Sequence, residues 1–211
     1  RQMCIRDRIC LNGTWAFAPV QLPVGFKEGE TPAPALPGVN EVTFSKTPIR
    51  IPSPWNVNSF ADKNGLGGDH LTYPSYPKEW ESIKMGWLQK KFTVPASWKG
   101  KRIQIHFEAV AGKADIYVNG KVVGDNFDIF MPFDIDITDA VKFGQENILN
   151  VGIQKSSLFD DRKSPLGRRT YQGGSFWGQH IAGIWQDVYL VALPQTLSLI
   201  HISEPTRRVV I

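Results

Sequence analysis

The feature of the sequence that most constrains its fold is a strict alternation of apolar and polar side chains in its middle third. Residues 103–107 and residues 114–118 each place an apolar side chain at every second position. Because successive side chains of a β-strand point to opposite faces, this period of two predicts two half-buried strands. Residues 133–138 repeat the alternation and predict a third strand of the same kind.

A tight turn is predicted after the second of these strands. The pair Asn119-Gly120 separates residues 114–118 from residues 122–123. Asn-Gly is typical of a two-residue hairpin, since a type I′ turn needs a positive φ at both central residues. Strands joined in this way are antiparallel. We therefore expect an all-β domain whose sheets have one buried and one solvated face.

The length and composition favour a single packed domain. The chain has 211 residues, of which 42% are hydrophobic and 21% charged, as in globular proteins. Residues 19–54 are rich in Pro and Gly, so we expect no ordered helix or central strand there. No apolar run is long enough to cross a membrane. The sequence has no phosphate-, dinucleotide- or metal-binding motif, and we expect no cofactor and no metal ion.

Both ends of the chain resemble translations of a transposon-type sequencing adapter. Residues 1–8 read RQMCIRDR, and residues 197–207 read LSLIHISEPTR. One DNA element, read in opposite orientations, would encode residues 2–7 and residues 197–202, each in frame. We expect residues 1–8 and 197–211 to be non-native tails that are excluded from fold reasoning, and residues 9–196 to form the domain. The alternative is a natural tail and a natural strand.

Removing those tails changes what the charge and the cysteines indicate. The formal net charge is +4, to which residues 1–8 contribute +2 and residues 197–211 contribute +1. The remaining domain carries +1, so the composition does not indicate a nucleic acid or a membrane as partner. Cys10 is then the one cysteine left, and it cannot form a disulfide framework or a thiolate metal site. The compartment is left open.

Four segments follow one another in a specific order and spacing. They are FTVPASWKGKRIQIHFEAV, ADIYVNGKVVG, FMPFDIDITDAV and GQENILNVGI, with LNGTWAF upstream and GIWQDVYL downstream. This succession resembles the N-terminal sugar-binding domain of glycoside hydrolase family 2, which includes β-galactosidases, β-glucuronidases and β-mannosidases. The resemblance implies a jelly-roll β-sandwich of the galactose-binding-domain type. In the family, an immunoglobulin-like domain and a catalytic (β/α)8 barrel follow it.

The resemblance further implies the non-catalytic domain of a retaining glycosidase. Family enzymes use two barrel glutamates as acid/base and nucleophile. No motif here resembles either site, and Glu108 is interpreted as structural. We expect the chain alone to be inactive, and its partners to be a β-glycoside and the remaining domains of the parent enzyme. The alternatives are a free carbohydrate-binding module and an inactive relative that acts as an interaction scaffold.

Residues 56–82 and 154–182 form two long connections. Their residues 68–76 and 157–180 are expected to form one wall of the sugar pocket. His70 occupies the position of the Asn in the Asn-x-Thr-Tyr-Pro segment of family β-galactosidases, where that side chain reaches the active site. His70 is therefore a candidate for a hydrogen bond to a sugar hydroxyl, against the alternative of an exposed loop histidine. Tyr73 and Tyr76 are candidates for stacking on a sugar, although packing against the sandwich is the favoured interpretation.

The second connection precedes the final strand, which the segment GIWQDVYL at residues 183–190 is expected to form. In some family members it delivers an aspartate to the sugar and to a monovalent cation. The matching stretch here, residues 175–177, reads Ser-Phe-Trp and lacks that aspartate. Asp161, earlier in the connection, is the candidate substitute. Trp177, Gln179 and His180 are the candidates near the subsite, with packing of the loop as the alternative.

Tryptophans are frequent, and a stripe of them can form a carbohydrate platform. Trp80, Trp87 and Trp98 stand at positions that the family fills with core aromatics, so burial is the favoured interpretation. Trp55 is predicted to anchor the core or an interdomain contact. Family domains also bury one face against the rest of the enzyme. We therefore expect this chain to expose an apolar patch and to associate with itself.

Overall fold

The computed structural model describes residues 7–27, 32–56, 76–159 and 181–194. These residues form antiparallel β-strands and short 3₁₀ turns, and no helix among them is long and apolar enough to cross a bilayer. The strands are β1 (Asp7–Cys10), β2 (Gly13–Val20), β3 (Ile49–Ile51), β4 (Met85–Thr93), β5 (Arg102–Phe107), β6 (Val110–Ala111), β7 (Lys113–Val118), β8 (Lys121–Asn126), β9 (Phe133–Asp136), β10 (Glu146–Gln154), β11 (Gly183–Ile184) and β12 (Val188–Leu193). The 3₁₀ turns are Val39–Glu41, Lys78–Ser82, Ala96–Trp98 and Ser156–Phe159.

Two sheets enclose the main core, which confirms the predicted all-β sandwich. One sheet has the order β1-β12-β5-β9 and the other β3-β2-β4-β10-β7-β8, while β6 and β11 form a separate pair. β5 and β7 alternate between buried and half-buried residues along their whole length, as the period of two predicts. The core between the sheets includes Trp15, Phe17, Ile105, Phe107, Ile116, Val151 and Leu190.

The predicted hairpin joins β7 to β8. Asn119 has a φ of 52° and Gly120 a φ of 82°, which is the left-handed conformation that both central residues of a type I′ turn adopt. The side chain of Asn119 also accepts a hydrogen bond from the Ile148 backbone N at 3.0 Å. The turn therefore ties β7 to β10 as well as to β8.

The prediction of one solvated face is wrong for the two central strands of the six-stranded sheet. β4 and β10 bury residues on both faces, because the Pro-rich chain at 32–44 covers the outer face. Trp87 Nε1 donates to the Pro37 carbonyl at 2.9 Å, and Gln154 Nε2 donates to the Pro34 carbonyl at 2.6 Å. This cover completes a second apolar cluster, whose buried members are Ala18, Val20, Met85, Trp87 and Leu158.

Gly152 permits the Pro-rich chain at 32–44 to approach the six-stranded sheet closely. A Cβ added at Gly152 would lie 2.4 Å from Leu36 Cδ2 and 2.9 Å from the Trp87 ring. Both distances are shorter than a van der Waals contact between carbon atoms, so a larger residue would force the cover away from the sheet. The expectation for residues 19–54 is wrong for Pro19 and Val20, which end the inner strand β2. In the rest of their described part it holds, since the one added strand, β3, is an edge strand.

Two strand boundaries differ from the sequence-based expectation. Asp7 and Arg8, assigned above to a tail, begin β1 and pair with β12; the adapter origin of the ends remains a prediction. The final segment GIWQDVYL was expected to form one strand but divides into β11, which pairs with β6, and β12, which pairs with β5. Asn12 holds the chain at this division: its side chain donates to Asp187, between the two strands, and accepts from the backbone N of Val188, the first residue of β12.

Candidate functional site

The candidate substrate-proximal residues fall in two long connections, residues 57–75 and 160–180. Both ranges lie outside the described residues. The roles assigned to their side chains therefore remain predictions. The residues concerned are His70, Tyr73, Asp161, Trp177, Gln179 and His180. What the structure defines is the part of the sandwich from which both connections begin and end.

The described ends of both connections meet in one place, here called the loop junction and formed by residues 53–56, 76–84, 155–159 and 182–185. Trp55 N donates to the Ala182 carbonyl at 3.0 Å, and Ala182 N donates to the Asn56 side-chain Oδ1 at 2.9 Å. Lys155 N donates to the Lys84 carbonyl at 2.7 Å. Asn56 and Ala182 are 126 residues apart in the chain, so this contact is a product of the tertiary fold.

Trp55 is the central side chain of the loop junction. It is fully buried, and its ring stacks on Phe17 with centroids 5.0 Å apart. Its Nε1 donates to the Ile83 carbonyl at 3.0 Å. The edge of Trp80 packs on the same Phe17 ring at 4.6 Å. Trp55 is therefore a core anchor, one of the two roles predicted for it, and it fixes the backbone from which residues 57–75 depart.

Tyr76, the first described residue after that connection, packs against the sandwich as favoured above. Its ring stacks on Trp80 with centroids 5.1 Å apart, and its hydroxyl accepts a hydrogen bond from Arg50 N at 3.0 Å. Burial raises the pKa of the Tyr76 hydroxyl above its ordinary value. The favoured burial of Trp80, Trp87 and Trp98 is also confirmed, so these three cannot form a sugar platform.

Residues 127–131 extend the loop junction on one side. Phe130 and Met131 open the FMPFDIDITDAV segment, but no site was predicted there. Phe127 packs edge-on against Phe159, with centroids 5.0 Å apart. Trp185 Nε1 donates to the Ile129 carbonyl at 3.1 Å, and the Phe130 ring lies 6.0 Å from the Trp185 ring. The sequence signals were a dense run of large apolar residues and the position of this run outside the three alternating strands. The expected exposed apolar patch lies here; self-association remains a prediction.

A charged cluster occupies the outer face of the four-stranded sheet. The His106 Nδ1 lies 2.8 Å from the Asp134 carboxylate and its Nε2 lies 3.4 Å from Glu108. Arg8 also pairs with Glu108 at 3.2 Å, so Glu108 bridges strands and has the structural role expected of it. Among the residues that the structure describes, no three His, Cys, Asp or Glu side chains are placed to hold a metal ion.

A polar network fixes the chain between the loop junction and β12. Asp187 accepts hydrogen bonds from the Tyr189 hydroxyl at 2.7 Å and from Asn12 Nδ2 at 2.8 Å. These two bonds, that of Tyr189 first, hold the pKa of Asp187 below its ordinary value, because both stabilise the ionised carboxylate. The bond to Asp187 also raises the pKa of Tyr189.

The substitution Tyr189→Phe is expected to raise the pKa of Asp187 toward its ordinary value, since it removes the largest cause of the shift. The network stabilises the folded state at every pH above the pKa that Asp187 has in the unfolded chain. This stabilisation is lost as the pH falls through the lower pKa that Asp187 has in the folded protein. The measurement is a carboxyl ¹³C NMR titration of Asp187. Tyr117→Phe is the control, and an unchanged midpoint in Tyr189→Phe would contradict the assignment.

Comparison with known proteins gives one consistent picture. The sequence model described as "Glycosyl hydrolases family 2, sugar binding domain" matches residues 9–194. A β-glucuronidase of Formosa agariphila is 35% identical over 168 residues, which are 79% of this chain and 15% of that enzyme. A β-galactosidase of Priestia megaterium is 26% identical over 196 residues, 88% of this chain and 17% of that enzyme.

The fold has a counterpart among solved structures. The β-D-glucuronidase of Dictyoglomus thermophilum superposes with a TM-score of 0.60 at 19% identity, over 92% of this chain and 29% of that one. The chain therefore spans less than a third of the length of each of these relatives.

Proposed function

Because the chain belongs to glycosyl hydrolase family 2, as its sugar-binding domain, we propose that the whole protein is a retaining β-glycosidase in which this domain is non-catalytic. The domain supports the catalytic barrel and forms one wall of the sugar pocket through residues 68–76 and 157–180. The relatives are named as β-glucuronidases and β-galactosidases. β-Glucuronides and β-galactosides are therefore the first substrate classes to test.

The loop junction is the observation that supports this role. The hydrogen bonds from Ala182 to Asn56 and from Trp55 to Ala182 hold the ends of both connections side by side. Whatever side chains the two connections contribute are thus delivered from one place on the sandwich. A rigid sheet scaffold that presents long connections on one side is a common arrangement for binding sites.

The described aromatic side chains favour this role over a free carbohydrate-binding module. Such a module needs aromatic rings displayed on a face or rim. Five of the six tryptophans in the described residues are buried, and Trp185 is half-buried. The Tyr189 ring, on the outer face of the four-stranded sheet, is a single half-buried ring, and the Arg8 guanidinium over it belongs to the tail expected to be non-native.

We expect the chain alone to hydrolyse no aryl glycoside, whereas the full-length parent hydrolyses at least one. The physical reason is that a retaining glycosidase needs two carboxyl groups about 5 Å apart, which the family places on the barrel. The assay compares both proteins on 4-nitrophenyl β-D-glucuronide, β-D-galactoside and β-D-mannoside, with the product anomer followed by ¹H NMR.

Contaminating host enzymes are the main hazard of that assay. Both proteins are therefore expressed in a host that lacks its own β-glycosidases, and a parent variant with its barrel acid/base Glu changed to Gln is the matched control. Turnover by the chain alone in that host would overturn the non-catalytic role. A parent that hydrolyses none of the three substrates would favour the inactive scaffold.

A further inference from the structure

We propose that residues 127–131, here called the docking segment, form the surface through which this domain binds the remainder of its own polypeptide. The proposal rests on the proposed function, because it requires a catalytic portion outside this chain. It goes further by naming the contact surface and its chemistry. The partner surface is apolar at its centre and bordered by Lys or Arg side chains.

Exposure of large apolar side chains is concentrated in the docking segment. Phe127 and Phe130 are each 43% exposed, and Met131 is 61% exposed. Two further large hydrophobic residues of the described chain are exposed, Val24 and Val122, and neither lies in this segment. Isolated exposed apolar residues are ordinary on protein surfaces, whereas a contiguous group of them indicates an interaction site.

The docking segment is held in a fixed conformation. The Asp128 carboxylate accepts hydrogen bonds from Phe130 N at 2.9 Å and from Met131 N at 3.0 Å. Ile129 is 4% exposed and anchors the segment in the sandwich, and its carbonyl accepts the bond from Trp185 Nε1 at 3.1 Å. A surface ordered before binding loses little conformational entropy when a partner covers it.

Charge indicates the chemistry of the partner. Asp125 and Asp128 lie on either side of Phe127 in the sequence, and both are exposed. Exposed carboxylates beside an apolar group are complementary to an apolar surface that carries Lys or Arg side chains. A second copy of this segment would bring like charges together and is the poorer partner.

Position indicates that the partner belongs to the same polypeptide. Phe127 packs on Phe159 and Phe130 on Trp185, and these two residues bracket the connection of residues 160–180. A partner bound at the docking segment would therefore lie next to the connection of residues 160–180. The matched relatives are about six times longer than the aligned portion of this chain. A covalently linked partner is present at a high effective concentration, so a surface of modest size suffices.

The first test compares hydrogen exchange in this chain and in the full-length parent. We expect the Phe130 and Met131 amides to exchange at least tenfold more slowly in the parent, while the Val24 amide exchanges equally in both. Equal exchange at Phe130 and Met131 in a parent that hydrolyses glycosides would overturn the docking proposal and leave the proposed function standing. Slower exchange at these amides in a parent that hydrolyses no glycoside would overturn the proposed function and leave the docking proposal standing.

The second test uses variants of this chain as it exists. Without its partner, the wild-type chain is expected to self-associate weakly through the exposed apolar group. The triple substitution Phe127→Ser, Phe130→Ser and Met131→Ser is expected to lower the association constant at least tenfold in sedimentation velocity. Val24→Ser with Val122→Ser is the matched control, and an equal effect of the control would count against the proposal. A parent dimer that the triple substitution abolishes would assign the surface to a second copy instead.

Discussion

Replacing Trp55 by alanine is expected to lower the free energy of unfolding by about 4 kcal/mol, since buried tryptophan-to-alanine substitutions cost about 3–5 kcal/mol. The ring is fully buried, stacks on Phe17 and donates to the Ile83 carbonyl. Removing it leaves a cavity between the sheets and an unpaired carbonyl. For a domain of this size the melting temperature should fall by roughly 8–16 °C. Urea denaturation measures the free energy and a thermal scan measures the melting temperature, both followed by circular dichroism.

Trp55→Phe is the matched control, because it keeps a ring against Phe17 and removes the Nε1 donor. We expect it to cost about 1–2 kcal/mol, the magnitude of one lost buried hydrogen bond with a small loss of volume. The difference between the two variants then reports the packing contribution. A fall of less than about 1 kcal/mol for Trp55→Ala would show that the loop junction is not organised around this ring.

The substitution Asn147→Leu is expected to lower the free energy of unfolding by a similar amount, about 4 kcal/mol. Asn147 is 0% exposed, and its amide uses its full hydrogen-bonding capacity. Its Oδ1 accepts from Asn119 Nδ2 at 2.8 Å and from Lys142 N at 2.7 Å. Its Nδ2 donates to the carbonyls of Lys142 and Gln145 at 2.9 Å and 3.0 Å. Leucine satisfies none of these groups, and each buried unpaired group costs about 1–3 kcal/mol.

Two further variants separate the network from a general effect of leucine. Asn40→Leu, on an exposed 3₁₀ turn, should change the stability by less than about 0.5 kcal/mol. Asn119→Gly keeps the positive φ of the turn and removes the side chain that binds Asn147. Because these two asparagines share a bond, the double variant should cost less than the sum of the single ones. Strict additivity in urea denaturation would contradict the network.

Much of the sandwich was predictable because its signals are local. The alternation at residues 103–107 and 114–118 and the Asn119-Gly120 pair depend only on side-chain direction and backbone sterics. The second apolar cluster was not predictable in this way. A Pro-rich segment has no period of its own, so nothing local indicates that Leu36 packs over Gly152 or that Pro37 accepts a bond from Trp87.

For the candidate site, too, some features had a signal in the sequence and others did not. The succession of segments carried the family resemblance, and family membership follows from residues 9–194. The docking segment was not predictable from the sequence, because the exposure of a side chain is a property of the packed molecule. Ile129 is buried, while Phe130 and Met131 beside it are exposed. A hydrophobicity pattern alone does not distinguish these three residues.

By itself, the sequence determined the alternating strands β5, β7 and β9, the hairpin, the burial of Trp80, Trp87 and Trp98, and the family. These follow from periodicity, turn chemistry and an ordered set of motifs, all of which act over a few residues. Only the tertiary structure decided which distant segments meet. Asn56 binds Ala182 across 126 residues of sequence, because the two sheets must close over one core before those backbones come within hydrogen-bonding distance. The loop junction is therefore a consequence of sheet packing, which local sequence does not encode.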